Sequence, residues 1–307
     1  SYNFQASRRL SLKTRIGLDW LQYHLHGDNS FSQLSPRINT NVQYQLNKGM
    51  LLWSFNFVNS NHGMDVINRA MIQVNSHMME KGMPELKKSH DINTYLYYMG
   101  RFNRLSVSAI GQFRYNHHPV TDDYYLDEAN GKIVKTYSNG GNAQYYSAIL
   151  ALQYKLCKFA NLSGDIRYNH AEVKTTRSKH NNSLTGNLGV NMFMGDFALK
   201  PYLHFGKKSL DEAALVISKT PIDYGMSCSY SRGNLYVELQ AASPFKKQEK
   251  QYWLDLPIYS YSKSIKDQTA SQYASIKVAY SFDFGRKIQK VEKDVNKNIN
   301  SSLLRVE

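Results

Sequence analysis

Cysteine is nearly absent: Cys157 and Cys228 are the only two, 71 residues apart. Two thiols at that distance form no multi-bridge framework and have no metal-ligand spacing. They are expected to be unpaired. No run of about 18 apolar residues occurs, so no transmembrane helix is expected. No signal peptide is visible at the start. The chain opens on the polar stretch SYNFQASRRL without an initiator Met, as a mature chain or a fragment would. Also missing are the Gly-x-Ser-x-Gly elbow, the His-Glu-x-x-His pair, the phosphate-binding loop and the dinucleotide fingerprint. Nothing fixes a nucleophile beside a base, so no catalytic residue, metal site or cofactor is expected.

Charge is lopsided, with 38 Lys and Arg against 24 Asp and Glu in 307 residues, a net +14. Such a balance raises nucleic-acid binding as a first thought. The cations, however, are dispersed along the chain and do not gather on one helix or stripe. Residues 286–307 hold six basic and three acidic residues, a net +3. A solvated basic surface is the expectation, with no nucleic-acid partner.

What is abundant is tyrosine, 23 residues against 13 Phe and 3 Trp. Aromatic side chains pack well on a pleated surface. The chain alternates accordingly. In residues 276–284, IKVAYSFDF, Ile276, Val278, Tyr280, Phe282 and Phe284 fall on one face, with Lys277, Ala279, Ser281 and Asp283 on the other. Successive strand side chains point to opposite faces, so this is a strand with one apolar side. The same pattern predicts twelve strands, at 12–24, 38–46, 50–58, 92–102, 104–116, 143–156, 159–170, 183–194, 196–206, 222–231, 233–242 and 272–284.

None of the twelve apolar faces carries a charge. The charges fall opposite: Lys13, Arg15, Asp19, Arg101, Arg114, Lys155, Asp165, Arg167, Lys200, Asp223, Glu238, Lys277 and Asp283. A lipid-facing surface penalises a charge by several kcal/mol near the midplane. The links alternate as well. Short ones fall at 47–49, 103, 157–158, 195 and 232. Long ones cover 25–37, 59–91, 117–142, 171–182, 207–221 and 243–271. Transmembrane barrels combine tight periplasmic turns with long extracellular loops, and their strands must close because hydrocarbon tolerates no open edge. The expected fold class is all-β, an antiparallel transmembrane β-barrel. Residues 1–284 would be barrel and 285–307 a basic periplasmic tail.

Within the long links, DYYLDEANGKIVKTY predicts a hairpin, with Asn130-Gly131 as a type I′ turn. Asp127, Glu128 and Asn130 lack the oxygen spacing of a calcium loop. QYWLDLPIYSYS predicts a strand pair, and MDVINRAMIQ a short helix. Tyr124, Tyr125 and Trp253 are candidate ligand contacts on these loops, although interface aromatics are the plainer reading. His24 and His26 could face one way as metal ligands but lack a third. His117 and His118 are adjacent, so their side chains are expected to diverge.

GMPELKKSH, residues 82–90, resembles a Gly-Asn-Pro-x-Leu-Lys-Pro-Glu-like stretch of TonB-dependent receptor barrels. Gly82, Pro84, Leu86 and Lys87 match; Met83 and Lys88 depart from it. HDINTYLYYMGRF follows, as a strand does there. SPRINTNVQYQL looks like the family's Pro-x-Leu-x-x-x-Tyr strand, and LDEANGKIVKTYSNGGNAQYYSAILALQYKL like its loop hairpin and long inward strand. The ending VAYSFDFG with a Lys-rich tail and SSLL resembles the outer-membrane β-barrel branch of the Bacteroidetes. The matches are in order over residues 35–307. The resemblance implies a 22-stranded barrel, of which this chain holds roughly the last twelve strands. It further implies a plug and first strands outside this sequence, a TonB motor acting through that plug, outer-membrane lipid and lipopolysaccharide as surroundings, and a nutrient as ligand. Bacterial outer membrane is the implied location. A self-contained twelve-stranded pore or barrel enzyme, and a surface β-sandwich adhesin or glycan-binding module, stand as alternatives.

Overall fold

The computed structural model describes residues 2–24, 30–60, 62–175, 177–245, 248–266 and 272–282. In chain order the strands are β1 (Tyr2–Gln5), β2 (Leu10–His24), β3 (Ser30–Leu46), β4 (Gly49–Ser60), β5 (Met71–Asn75), β6 (Met78–Lys81) and β7 (Ser89–Phe102). They continue as β8 (Leu105–His117), β9 (Thr121–Asp127), β10 (Lys132–Ser138), β11 (Asn142–Cys157), β12 (Ala160–Lys174), β13 (Ser178–Met194) and β14 (Phe197–His204). The last are β15 (Lys207–Leu210), β16 (Ile217–Thr220), β17 (Asp223–Arg232), β18 (Leu235–Ala242), β19 (Lys250–Asp255), β20 (Ser260–Ile265) and β21 (Tyr273–Tyr280). One helical turn, α1 (Met64–Ile67), precedes β5.

Thirteen of these strands form one sheet in the order β1-β2-β3-β4-β7-β8-β11-β12-β13-β14-β17-β18-β21. Each of the twelve predicted strands is present, most of them longer than the alternation indicated. The thirteenth, β1, was not predicted. β1 and β21 are the two edges and, among the described residues, do not pair with each other.

The register carries the apolar face unbroken from strand to strand. Ile16 lies opposite Ile38, Ile38 opposite Phe57, and Phe57 opposite Ile92. Further along, Val107 meets Leu152, Leu162 meets Val190, and Val237 meets Val278. This face is open to the surroundings: Ile16 is 75% exposed and Leu184 69%. The polar face shows the inverse, with Gln33 at 2% and Ser54 at 1%. Apolar outside and polar inside reverses the arrangement of a protein folded in water. A β-sandwich would press the apolar faces together; here the large sheet's apolar face has no layer over it among the described residues.

Successive hairpins are staggered. The β3–β4 turn closes on Leu46 and Gly49, and the β7–β8 turn, on Phe102 and Leu105, lies two residues beyond it. The β13–β14 and β17–β18 turns each step two residues further again. At β11–β12 the bulge between Lys155 and Cys157 makes the step three. Two residues per hairpin is about 3.3 Å per strand against a strand spacing of about 4.8 Å, so the strands tilt by roughly 35°. That angle lies in the range of transmembrane barrels.

The long links build two smaller sheets at the other end, β5-β6-β10-β9 and β15-β16-β19-β20. The hairpins predicted over 123–137 and 251–262 are both there, spanning 121–138 and 250–265. Their details differ from expectation. Asp127 pairs with Lys132 across four loop residues, and only Gly131 of the Asn-Gly pair has positive φ, at 61°. The Asp127 carboxylate accepts from the Ala129 N–H and the Asn130 side chain. That bonding holds a four-residue loop where a two-residue type I′ turn was expected. The predicted helix shrinks to four residues, and Met71–Asn75 becomes strand, its Met, Ile and Val exposed at a sheet edge.

Candidate functional site: the concave polar face and its cap

Polar-face residues from several strands line one cavity of about 780 Å³, among them Ser106, Gln153, Asp165, Asn191, Lys200 and Gln240. Buried side chains of the large sheet, Gln33, Ser35, Ser54, Ser147 and Asn169 among them, fall on this same face, so the sheet curves with its polar face inside. Amide and hydroxyl ladders cover this face. Asn41 donates to Asn39 at 2.8 Å, Asn39 to Asn56, and Gln112 to Asn93 at 3.0 Å. Tyr145 and Ser147 both donate to Asn169, at 2.7 and 2.9 Å. Gln33 Nε2, Arg167 Nε and Asn181 Oδ1 are buried there and, among the described residues, have no hydrogen-bond partner.

Twelve of the thirteen charged residues singled out in the sequence lie on this face. Lys13 pairs with Asn41, Arg15 with Asn39 and Asp19 with Ser35. Arg101 lies opposite Ser106, Arg114 opposite Asn93, and Lys155 opposite Asn161. Asp165 and Arg167 lie opposite Asn187 and Thr185. Lys200 pairs with Ser227, Asp223 with His204, and Glu238 with Lys277. Asp283 lies outside the described residues.

These charges do not converge on one point. Arg37 meets Asp19 at 3.3 Å, and Arg114 holds Asp91 at 2.9 Å and Glu212 at 3.7 Å. His204 stands 3.4 Å from Asp223, which also accepts from Ser243 Oγ at 3.0 Å. Ser243 thus bonds the carboxylate and not the imidazole, which is not a nucleophile–base arrangement. Sequence reasoning missed Arg37, Asp91 and Glu212, since only spatial pairing distinguishes them.

The two smaller sheets cap this face at the loop end. Tyr124, Leu215, Leu254 and Leu256 pack on Ala143 and Val173, from the inner sides of β11 and β12. Burying a leucine such as Leu215 or Leu254 contributes about 1.5–3 kcal/mol, so the cap is a packed layer and not a set of loose loops. Beside this core Lys135 bridges Glu80 and Asp122, at 3.3 Å each, and Tyr137 donates to Glu80 at 2.6 Å. That hydrogen bond holds the Glu80 carboxyl below its ordinary value, whereas burial raises Asp122. Burial opposes the charge on Lys135, but the two carboxylates outweigh it and raise its pKa. Burial also raises Glu212.

The three aromatic ligand candidates separate. Tyr124 is 8% exposed and packs against Tyr259 in the core, so it is covered rather than open to a ligand. Trp253 is half-buried, with Lys208 Nζ 5.7 Å from its ring. Tyr125, at 40%, stands exposed. His117 and His118 do not diverge as expected. His118 leaves the strand at φ 58°, and its ring centroid lies 3.8 Å from that of His117. Among the described residues no three His, Cys, Asp or Glu side chains group as a metal site would. The His24 side chain and His26 lie outside the described residues. Cys157 and Cys228 are free thiols.

No family model and no curated protein matches this sequence. Solved structures do match its fold. The copper transporter OprC aligns with a TM-score of 0.67 at 11% identity, over 91% of this chain and 46% of its own. A mutant of the ferric enterobactin receptor PfeA from Pseudomonas aeruginosa aligns at 0.49 and 8% identity, over 85% of this chain and 49% of its own. The outer-membrane transporter YddB from Escherichia coli aligns at 0.49 and 9% identity, over 92% and 53%. The chain thus spans about half the length of each, and the fold likeness rests on the first.

Proposed function

We propose that this chain forms wall and extracellular cap of an outer-membrane receptor and transporter of the TonB-dependent kind, importing a nutrient. One observation carries the reading: across all thirteen strands every apolar side chain row faces outward, and charges enter that face only at strand ends, at Glu172, Lys174 and Arg232. Such a face suits hydrocarbon. The roughly 35° tilt, the asymmetry of turns and loops, and the likeness to OprC support it. Lipid and lipopolysaccharide would surround the apolar band. The charged and amide-lined concavity would face a wet lumen, where buried polar atoms without protein partners can meet water or a plug.

The open edges at β1 and β21 need pairing, since unpaired backbone in hydrocarbon costs several kcal/mol per group. Further strands of the same protein would supply it, and a plug would connect the barrel to the TonB motor. Residues 285–307 would lie in the periplasm. The reading assigns no catalysis. It is tested by expressing the chain with its natural flanking sequence and fractionating the membranes. The expected result is outer-membrane material whose gel mobility shifts on boiling, as folded barrels do. Full solubility of the refolded chain without detergent or lipid would overturn it.

A further inference from the structure

The cations that look scattered in the sequence come together in space. Arg8, Arg9, Lys48, Arg104, Lys158 and Arg232 all sit in, or immediately beside, the short links at the turn end of the sheet. Each is exposed. Successive turns lie two strands apart, about 10 Å, so the cations form a row along the rim. The one acid in these links is Asp196, which lies 3.8 Å from Arg232.

A second feature runs beside the row. Tyr44, Phe102, Tyr154, Phe159, Phe197 and Tyr280 are exposed at the same end, along the lower edge of the apolar band. Aromatic rings in that position mark the depth of lipid headgroups, and long cationic side chains reach from there to phosphate. The opposite edge of the band differs. It too has exposed aromatics, Trp20, Tyr146 and Tyr168, but beside them stand His90, His117, His170 and Asn182 in place of lysines and arginines, and its Lys174 is neutralised by Glu172 at 3.0 Å.

We infer that the turn-end rim is a binding surface for anionic phospholipid headgroups in the leaflet that the turns face. The inference rests on the membrane reading above. Lipid phosphate is favoured over an acidic soluble protein because the cations lie along the boundary of the apolar band, beside its aromatics. A soluble partner would need no such girdle. A row of single cations spaced by two strands matches separate headgroups, each met by one or two charges.

The test uses the chain with its natural flanking sequence, refolded into phosphatidylcholine vesicles containing a minor fraction of phosphatidylglycerol. Spin-labelled forms of the two lipids report which is held at the protein surface. Wild type should enrich the phosphatidylglycerol label over the phosphatidylcholine label by about two-fold or more at low salt. The enrichment should vanish near 1 M salt, where screening acts within about 3 Å. It should also vanish in the combined Arg9→Gln, Lys48→Gln, Arg104→Gln, Lys158→Gln variant. A control at the loop end, Lys132→Gln with Lys219→Gln, should keep it. Equal retention of both lipids by wild type would overturn the inference and leave the rim to a soluble acidic partner. Undiminished enrichment in the four-turn variant would overturn it as well. With the flanking strands present to pair β1 and β21, failure of the protein to enter the vesicles sinks the membrane reading itself, an outcome read separately by co-flotation.

Discussion

Glu80 shows how much of the cap hangs on single groups. Its carboxylate takes a hydrogen bond from Tyr137 and an ion pair from Lys135, across the seam where β6 runs parallel to β10. Because its folded pKa is lowered, its contribution is complete above the ordinary glutamate value of about 4.3 and is lost as pH falls through the depressed value. Asp122 runs the other way. Burial raises its pKa, so acidification relieves it first. Amide hydrogen exchange in β6 and β10 should therefore hold steady or slow as Asp122 protonates, then quicken below about pH 4. Tyr137→Phe should move the quickening to higher pH; an unmoved profile would refute the role given to the hydroxyl. Gly141 is a second sensitive point. At φ 93° a Cβ there would lie 1.8 Å from the Lys174 carbonyl oxygen. Gly141→Ala should destabilise the β11–β12 junction by about 1–3 kcal/mol in a denaturant titration. Neither point was legible in the sequence. Asn130-Gly131 looked like a tight turn because the dipeptide favours one, but the Asp127 side chain captured the backbone first. Tyr124 looked like a ligand contact because nothing local reveals that Leu215 and Leu254 would cover it.

At the scale of the strand, alternation was the readable signal, and its physical source also sets its limits. A strand is visible where one face must be apolar and the other need not be, as in residues 143–156. Where β12 and β13 run past the apolar band, over residues 171–182, Glu172 and Lys174 take the outer face and the apolar Ala171 and Val173 the inner one, so the contrast reverses; in β3, over residues 30–37, only Leu34 and Pro36 mark the outer face. These stretches therefore looked like loops. β1, β15 and β16 have four residues each, too few to show a period. Register matters for the charges, because a slip of one residue would place all of those described on the apolar face. The same argument yields a sharp comparison between neighbours. Leu150 lies on the apolar face opposite Ala109 and Ile166, whereas Ala151 lies on the polar face opposite Ser108 and Asp165. Leu150→Arg should cost about 2–4 kcal/mol in urea unfolding from vesicles. Ala151→Arg, beside a carboxylate, should cost far less. Equal losses would mean that the two faces do not see different solvents.

For the whole molecule, orientation follows from which end each link occupies, and here the sequence was both informative and misleading. Alternating link lengths located the two ends, yet the cations seemed scattered because turns far apart in the chain meet only once the hairpins stand side by side. The cap, at the long-link end, is a folded layer joined to the wall through Ala143 and Val173 and through Arg114 to Glu212. If it faces outward, a thiol at Glu128, in the exposed β9–β10 loop, should react in intact cells with a maleimide that cannot cross the outer membrane. A thiol at Asn103, in the β7–β8 turn, should react only after the membrane is opened. Both sites are exposed, so accessibility alone does not separate them; the membrane must. The measurement needs Cys157→Ser and Cys228→Ser as background, since both native thiols are free. Reversed labelling would invert the barrel and place the cationic rim outside. Labelling of both sites in intact cells would mean that no membrane divides the two ends, and the curved wall would then need another explanation for its uncovered apolar face.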